Sequence, residues 1–156
     1  MTSDAAQQAA ESRRWRHGAI LICALALASP GALAGCPAGT DDGIMIRQGE
    51  LTLAWRPLLP GDKPAPANRI PMAKHFTLDV QLCDNDKAST AQLTKADASM
   101  PAHRHGMNYT PVIKPQGSGR FRVEGMMFHM AGQWRLVFDV QSGKETLRLN
   151  HDVQVD

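Results

Sequence analysis

The sequence predicts an all-β domain, an immunoglobulin-like antiparallel β-sandwich of about seven strands, on three observations. Apolar and polar residues alternate with period two: Phe76, Leu78, Val80 and Leu82 share one side of an extended run, with Thr77, Asp79 and Gln81 on the other. Trp134, Leu136, Phe138 and Val140 repeat the pattern against Arg135 and Asp139. The runs are separated by hairpin turn chemistry, "QGSG" at 116–119, "AGQ" at 131–133 and "SGKE" at 142–145. From residue 44 onward no stretch holds a 3.6-residue apolar period long enough for a helix. A small barrel is the alternative closure of the same strands.

The first element is a targeting segment. Arg13, Arg14 and Arg16 precede the apolar run "GAILICALALASPGALAGC", which Pro30 and Gly31 interrupt before it ends in small residues. That order of basic, apolar and small residues is a secretory signal. It is too short and too broken for a bilayer span, which takes roughly 20 apolar residues. Residues 1–34 are therefore set aside as a signal peptide, and 35–156 are read as one β-sandwich domain in the periplasm or outside the cell. Ala32-Leu33-Ala34 suits cleavage of a soluble protein, whereas Leu33-Ala34-Gly35-Cys36 resembles a lipobox, in which Cys36 would be lipidated and anchor the chain to a membrane. Beyond the signal only Cys36 and Cys83 are left, an even pair in an oxidising compartment, and their disulfide is the favoured reading.

The candidate strands follow in order: "GIMIR" (43–47), "ELTLAWRP" (50–57), "HFTLDVQL" (75–82), "YTPVIK" (109–114), "RFRVEGMMFHM" (120–130), "WRLVFDVQ" (134–141) and "TLRLNHDVQV" (146–155). The proline-rich stretch 56–71 reads as a loop, because proline cannot donate to a ladder. The polar stretch 84–99 reads as a connection with at most a short strand around Leu93.

A net charge of +2 with scattered basic residues excludes a nucleic-acid surface. No Gly-x-Ser-x-Gly element, phosphate-cradling glycine loop or His-Glu-x-x-His helix is present, and the carboxylates are dispersed, so the chain is read as non-enzymatic.

Metal ligands are concentrated instead. "MPAHRHGM" at 100–107 supplies Met100, His103, His105 and Met107, and "MMFHM" at 126–130 supplies His129 and Met130. Thioether sulfur is a poor ligand for zinc, calcium or magnesium and a good one for copper(I), while imidazole serves both copper oxidation states, so copper is the expected cofactor. In an extended stretch His103, His105 and Met107 share a face at a spacing of about 6.6 Å. A hairpin at 116–119 would pair positions whose numbers sum to about 235, setting His105 opposite Met130 and Met107 opposite Phe128. Strict alternation from Phe121 and Val123 turns Met127 and His129 to the core. A bulge at Gly125 would turn Met126, Phe128 and Met130 there instead, and the sequence leaves both open. Met126 and Met127 are expected as core filler, and His75 and His151 as structural or surface residues.

"SMPAHRHGMNYTPVI" followed by "GRFRVEGMMFHMAGQWRLVFDV" resembles the YtkA-like family of small secreted bacterial domains, which is related to FixH-type proteins. The resemblance covers roughly residues 75–155. It implies an immunoglobulin-like sandwich outside the cytoplasm, a link to copper or to maturation of respiratory and haem proteins, and Met100, His103, His105 and Met130 as ligands. The expected function is a copper carrier, chaperone or sensor whose partner is a cytochrome oxidase, a copper exporter or a haem enzyme. The alternative is a metal-free interaction module of the cell envelope.

Overall fold

The computed structural model describes residues 43–156; the signal segment and Cys36 lie outside them. Among the described residues the chain forms eleven strands and one short 3-10 turn, Ala67–Arg69. They are β1 (Ile44–Gln48), β2 (Leu51–Leu59), β3 (Lys63–Pro64), β4 (Phe76–Asp84), β5 (Lys87–Ala88), β6 (Gln92–Met100), β7 (His105–Gly106), β8 (Val112–Gly117), β9 (Arg120–Met126), β10 (Gly132–Ser142) and β11 (Glu145–Val155). One sheet runs β1-β2-β4-β9-β8, with β3 on β2 and β5 on β4, and the other runs β11-β10-β6-β7. The recorded pairings are antiparallel, and the two sheets form the expected β-sandwich.

The alternating runs build the core as expected. Leu78, Val80 and Leu82 of β4 and Trp134, Leu136, Phe138 and Val140 of β10 are fully buried between the sheets. Trp55 of β2 and Phe121 and Val123 of β9 join them. The outward residues carry charge. Asp79 accepts hydrogen bonds from both Arg56 and Arg120, while Arg148 pairs with Asp139 and Arg135 with Asp152. Hydrogen bonding from those arginines lowers the pKa of Asp139 and of Asp152.

Two expectations need correction. The stretch 84–99 is not mainly a connection, because β6 covers the nine residues Gln92–Met100, eight of them within this stretch, and pairs with β10 from Gln92 to Ser99. Its inward positions are small, Ala96 and Ala98, which is why its apolar face is faint in the sequence. Nor does the strand stop at Pro57: β2 continues to Leu59, with Pro57 opposite Leu78. Proline is tolerated there because β1 pairs β2 only as far as Trp55, and on that side the Pro57 carbonyl accepts the Ala65 N–H at 3.0 Å.

Candidate metal centre

The site is built from two short segments at one end of the sandwich. In the first, Met100 closes β6 and the chain turns back through Pro101–Arg104, with the His103 N–H donating to the Met100 carbonyl at 3.1 Å. Pro101 occupies the second position of that turn, where its fixed φ is already correct, and Arg104 takes a left-handed φ of 54°. The chain re-enters the sheet as β7, which sets His105 opposite Met100 and Gly106 opposite Ser99. Residues opposite each other across an antiparallel pair project from the same face. His105 therefore projects with the buried Met100.

The second segment follows β9. Phe76 pairs with Met126 while Leu78 pairs with Val123, so β9 carries one extra residue between these pairs, and Gly125 there has φ +84°. The bulge shifts the alternation: Phe121 and Val123 point inward, and then Met126 and Phe128 do. This settles the open face assignment, with Met127 and His129 half-buried and Met130 37% exposed.

The predicted hairpin partners are not the observed ones. Near the turn the β8–β9 register is close to the expected one, with Ile113 opposite Val123 and Lys114 opposite Arg122. However, His105 and Met107 precede β8, and His105 lies in β7 of the opposite sheet. His105 consequently meets His129 rather than standing opposite Met130, and Met107 does not stand opposite Phe128. The reason is the strand β6, which captures 105–106 before the β8 hairpin begins.

Three imidazoles line up at this end. The ring centroids of His103 and His105 are 5.8 Å apart and those of His105 and His129 are 5.1 Å apart. The indole of Trp134 lies 5.2 Å from His129 and 5.9 Å from His105, roughly perpendicular to both, while Phe128 stacks on it at 4.9 Å. Trp134 Nε1 donates to the Met130 carbonyl at 2.9 Å, which ties the segment carrying His129 to β10.

The nitrogens differ in their occupation. His105 Nδ1 is 3.3 Å from the Gly106 carbonyl oxygen, which can only accept, so the contact is a hydrogen bond in the tautomer that carries its proton on Nδ1 and leaves Nε2 to a metal. His129 Nδ1 is buried with no hydrogen-bond partner. A buried polar group left unpaired costs about 1–3 kcal/mol.

Of the six predicted ligands the structure brings four together, His103, His105 and His129 in a row with Met100 opposite His105. His103 is exposed, His105 and His129 are half-buried, Met130 is adjacent to His129, and Met100, 1% exposed, is packed in the core beside them. Met107 is elsewhere: it packs on the core and lines a groove with Thr94, Asp97, Tyr109 and Ile113 that no histidine borders. Among the described residues no three His, Cys, Asp or Glu side chains are already placed to hold a metal ion. Two imidazoles bound to one tetrahedral ion at about 2 Å per bond have centroids about 5 Å apart, which the His105–His129 separation matches.

Sequence reasoning missed Trp134 and Gly132 as parts of this end. A Cβ on Gly132, whose φ is +125°, would lie 2.8 Å from Met100 Cε, so the absent side chain is what leaves space for the thioether. His75 packs edge-on against Tyr109 at 5.1 Å, and the Ala73 N–H donates to the Phe128 carbonyl at 2.7 Å.

Neither a protein family model nor a curated protein matches the chain. Among solved structures, a DUF4426-family protein of Pseudomonas aeruginosa PAO1 is similar with a TM-score of 0.48 and 9% identity, covering 76% of this chain and 99% of that one.

Proposed function

We propose that this is a non-enzymatic copper-binding domain of the periplasm or cell exterior, acting as a carrier, chaperone or sensor. The observation that carries the reading is the row of His103, His105 and His129 beside the thioether of Met100, with one buried imidazole nitrogen unpartnered. A rim site with an exposed outer histidine suits exchange of the ion with a second protein, and a cytochrome oxidase, a copper exporter or a haem enzyme has the matching need. Membership of the YtkA-like family is part of the same proposal, as are signal cleavage at Ala34 and the Cys36–Cys83 disulfide. The experiment is stoichiometric copper uptake by the apo protein, compared with a variant in which His103 and His105 are both replaced by Asn. Equal uptake by the two would remove the site.

A second reading is favoured by one observation: Met72 and Met130 are 44% and 37% exposed, in segments joined by the hydrogen bond from the Ala73 N–H to the Phe128 carbonyl. Under it the end is an adaptable contact surface for an envelope protein and takes no metal.

A further inference from the structure

Resting on the copper reading, the donor set allows the oxidation state and the inner ligands to be assigned. We infer that Met100, His105 and His129, backed by the indole of Trp134, form a seat for a soft monovalent cation, copper(I), in preference to any divalent ion.

Four features support this. The donors are uncharged, one thioether and two imidazoles. Three carboxylates of the same sheet are engaged with bases, Asp97 with Lys95, Asp139 with Arg148 and Asp152 with Arg135, and Glu145 lies at the far end of β11, opposite Ser142. Desolvation cost rises with the square of the charge, so an uncompensated divalent ion pays roughly four times what a monovalent one does in the same partly buried place. Thioether sulfur then adds its own preference for copper(I). The indole supplies the third contribution: an ion held between His105 and His129, whose rings lie 5.9 and 5.2 Å from Trp134, falls within reach of the ring quadrupole, which attracts a weakly hydrated cation. Finally, the surroundings of each donor favour the seat. His105 Nδ1 is directed to the Gly106 carbonyl, His129 Nδ1 is buried and unpartnered, and Gly132 leaves the space that Met100 Cε occupies.

His103 falls outside this set. Exposed and 5.8 Å from His105, it forms with His105 the outer, nitrogen-only pair at which copper(II) can be held.

The test is competition titration of the full chain with copper(I) under anaerobic conditions, silver(I) as a redox-inert monovalent probe, and copper(II), following tryptophan emission. The expected result is one equivalent of copper(I) or silver(I), bound at least 100-fold more tightly than copper(II), with quenching that Trp134→Phe removes while the stoichiometry stays at one. Met100→Leu, which keeps the volume, should weaken copper(I) and silver(I) at least 10-fold and leave copper(II) unchanged. His129→Gln should do the same. Copper(II) binding as tight as copper(I), or monovalent binding indifferent to both Met100→Leu and His129→Gln, overturns the assignment while leaving a copper protein. No uptake of any of the three ions overturns the assignment and the copper reading together.

Discussion

His105 and His129, separated by two strands of sequence, bring their rings to 5.1 Å at one end of the sandwich, one from β7 of the four-stranded sheet and the other from the segment between β9 and β10. A contact made across the opening between two sheets is accessible without disturbing the core beneath it. The replacement His103→Asn with His105→Asn should therefore abolish copper(II) uptake and leave the β-rich circular dichroism spectrum and thermal midpoint nearly unchanged. Protons compete with metal for imidazole, and each ion takes two imidazoles, so acidification should weaken the binding of copper(II) and of copper(I) alike. Isothermal titration at a series of pH values checks both, and a copper(II) affinity flat with pH would contradict histidine ligation.

Met100 has two jobs that substitutions can separate. Its burial beneath the site makes Met100→Ala a cavity mutation costing about 2–5 kcal/mol, whereas Met100→Leu conserves volume and should cost less than about 1.5 kcal/mol. Met126 is as deeply buried but pairs with Phe76 within the core, so Met126→Leu should be equally mild and leave copper(I) affinity unchanged. Chemical denaturation paired with copper(I) competition distinguishes the two methionines.

Gly132 should tolerate no side chain quietly. An alanine at φ +125° is strained, and its Cβ would displace Met100 Cε. Gly132→Ala should lower stability by about 1–3 kcal/mol and, by moving the thioether, reduce copper(I) affinity. A variant of full stability and full copper(I) affinity would show that the close approach at Gly132 constrains neither.

Much of this was legible in the sequence, and the failures have a common origin. The runs at 75–82 and 134–141 declared themselves because large apolar residues alternate with polar ones. The strand β6 hid because Ala96 and Ala98 do the same work with little side chain. Its omission then misplaced His105 and Met107, since without β6 the only partner for 105–107 was the next hairpin. The histidines and methionines themselves were visible as a cluster, but which of them meet depends on contacts between sheets, and period-two patterning carries no information about those. Trp134 looked like one more core aromatic for the same reason.

The mature N-terminus offers a prediction independent of copper. Cys83 is buried on β4 opposite Thr52, and pairing it with Cys36 would close a loop worth about 2–4 kcal/mol. Intact mass measured without reductant should match a chain cleaved after Ala34 and lighter by two hydrogens. A diacylglycerol mass on Cys36 would instead make the protein a lipoprotein.

His151 contributes a pH dependence to the fold itself. It sits on β11 with its ring 5.7 Å from the buried Trp55 indole and roughly perpendicular to it, and burial lowers its pKa, against the smaller opposing pull of Asp152, whose charge is already shared with Arg135. With a folded pKa below the unfolded value of about 6.5, the unfolded chain takes up the proton more readily. The neutral ring's contribution is therefore fully present above about pH 6.5 and is lost as the pH falls through the folded pKa. The apo protein should show a falling thermal midpoint on acidification from pH 7 to pH 5, and His151→Gln should reduce the slope, because the glutamine has no proton to gain. Asp139 and Asp152, held low by Arg148 and Arg135, act only at more acid pH, so they do not mimic the effect in this window. An identical slope in parent and variant would assign the loss to other groups and leave His151 a packing residue.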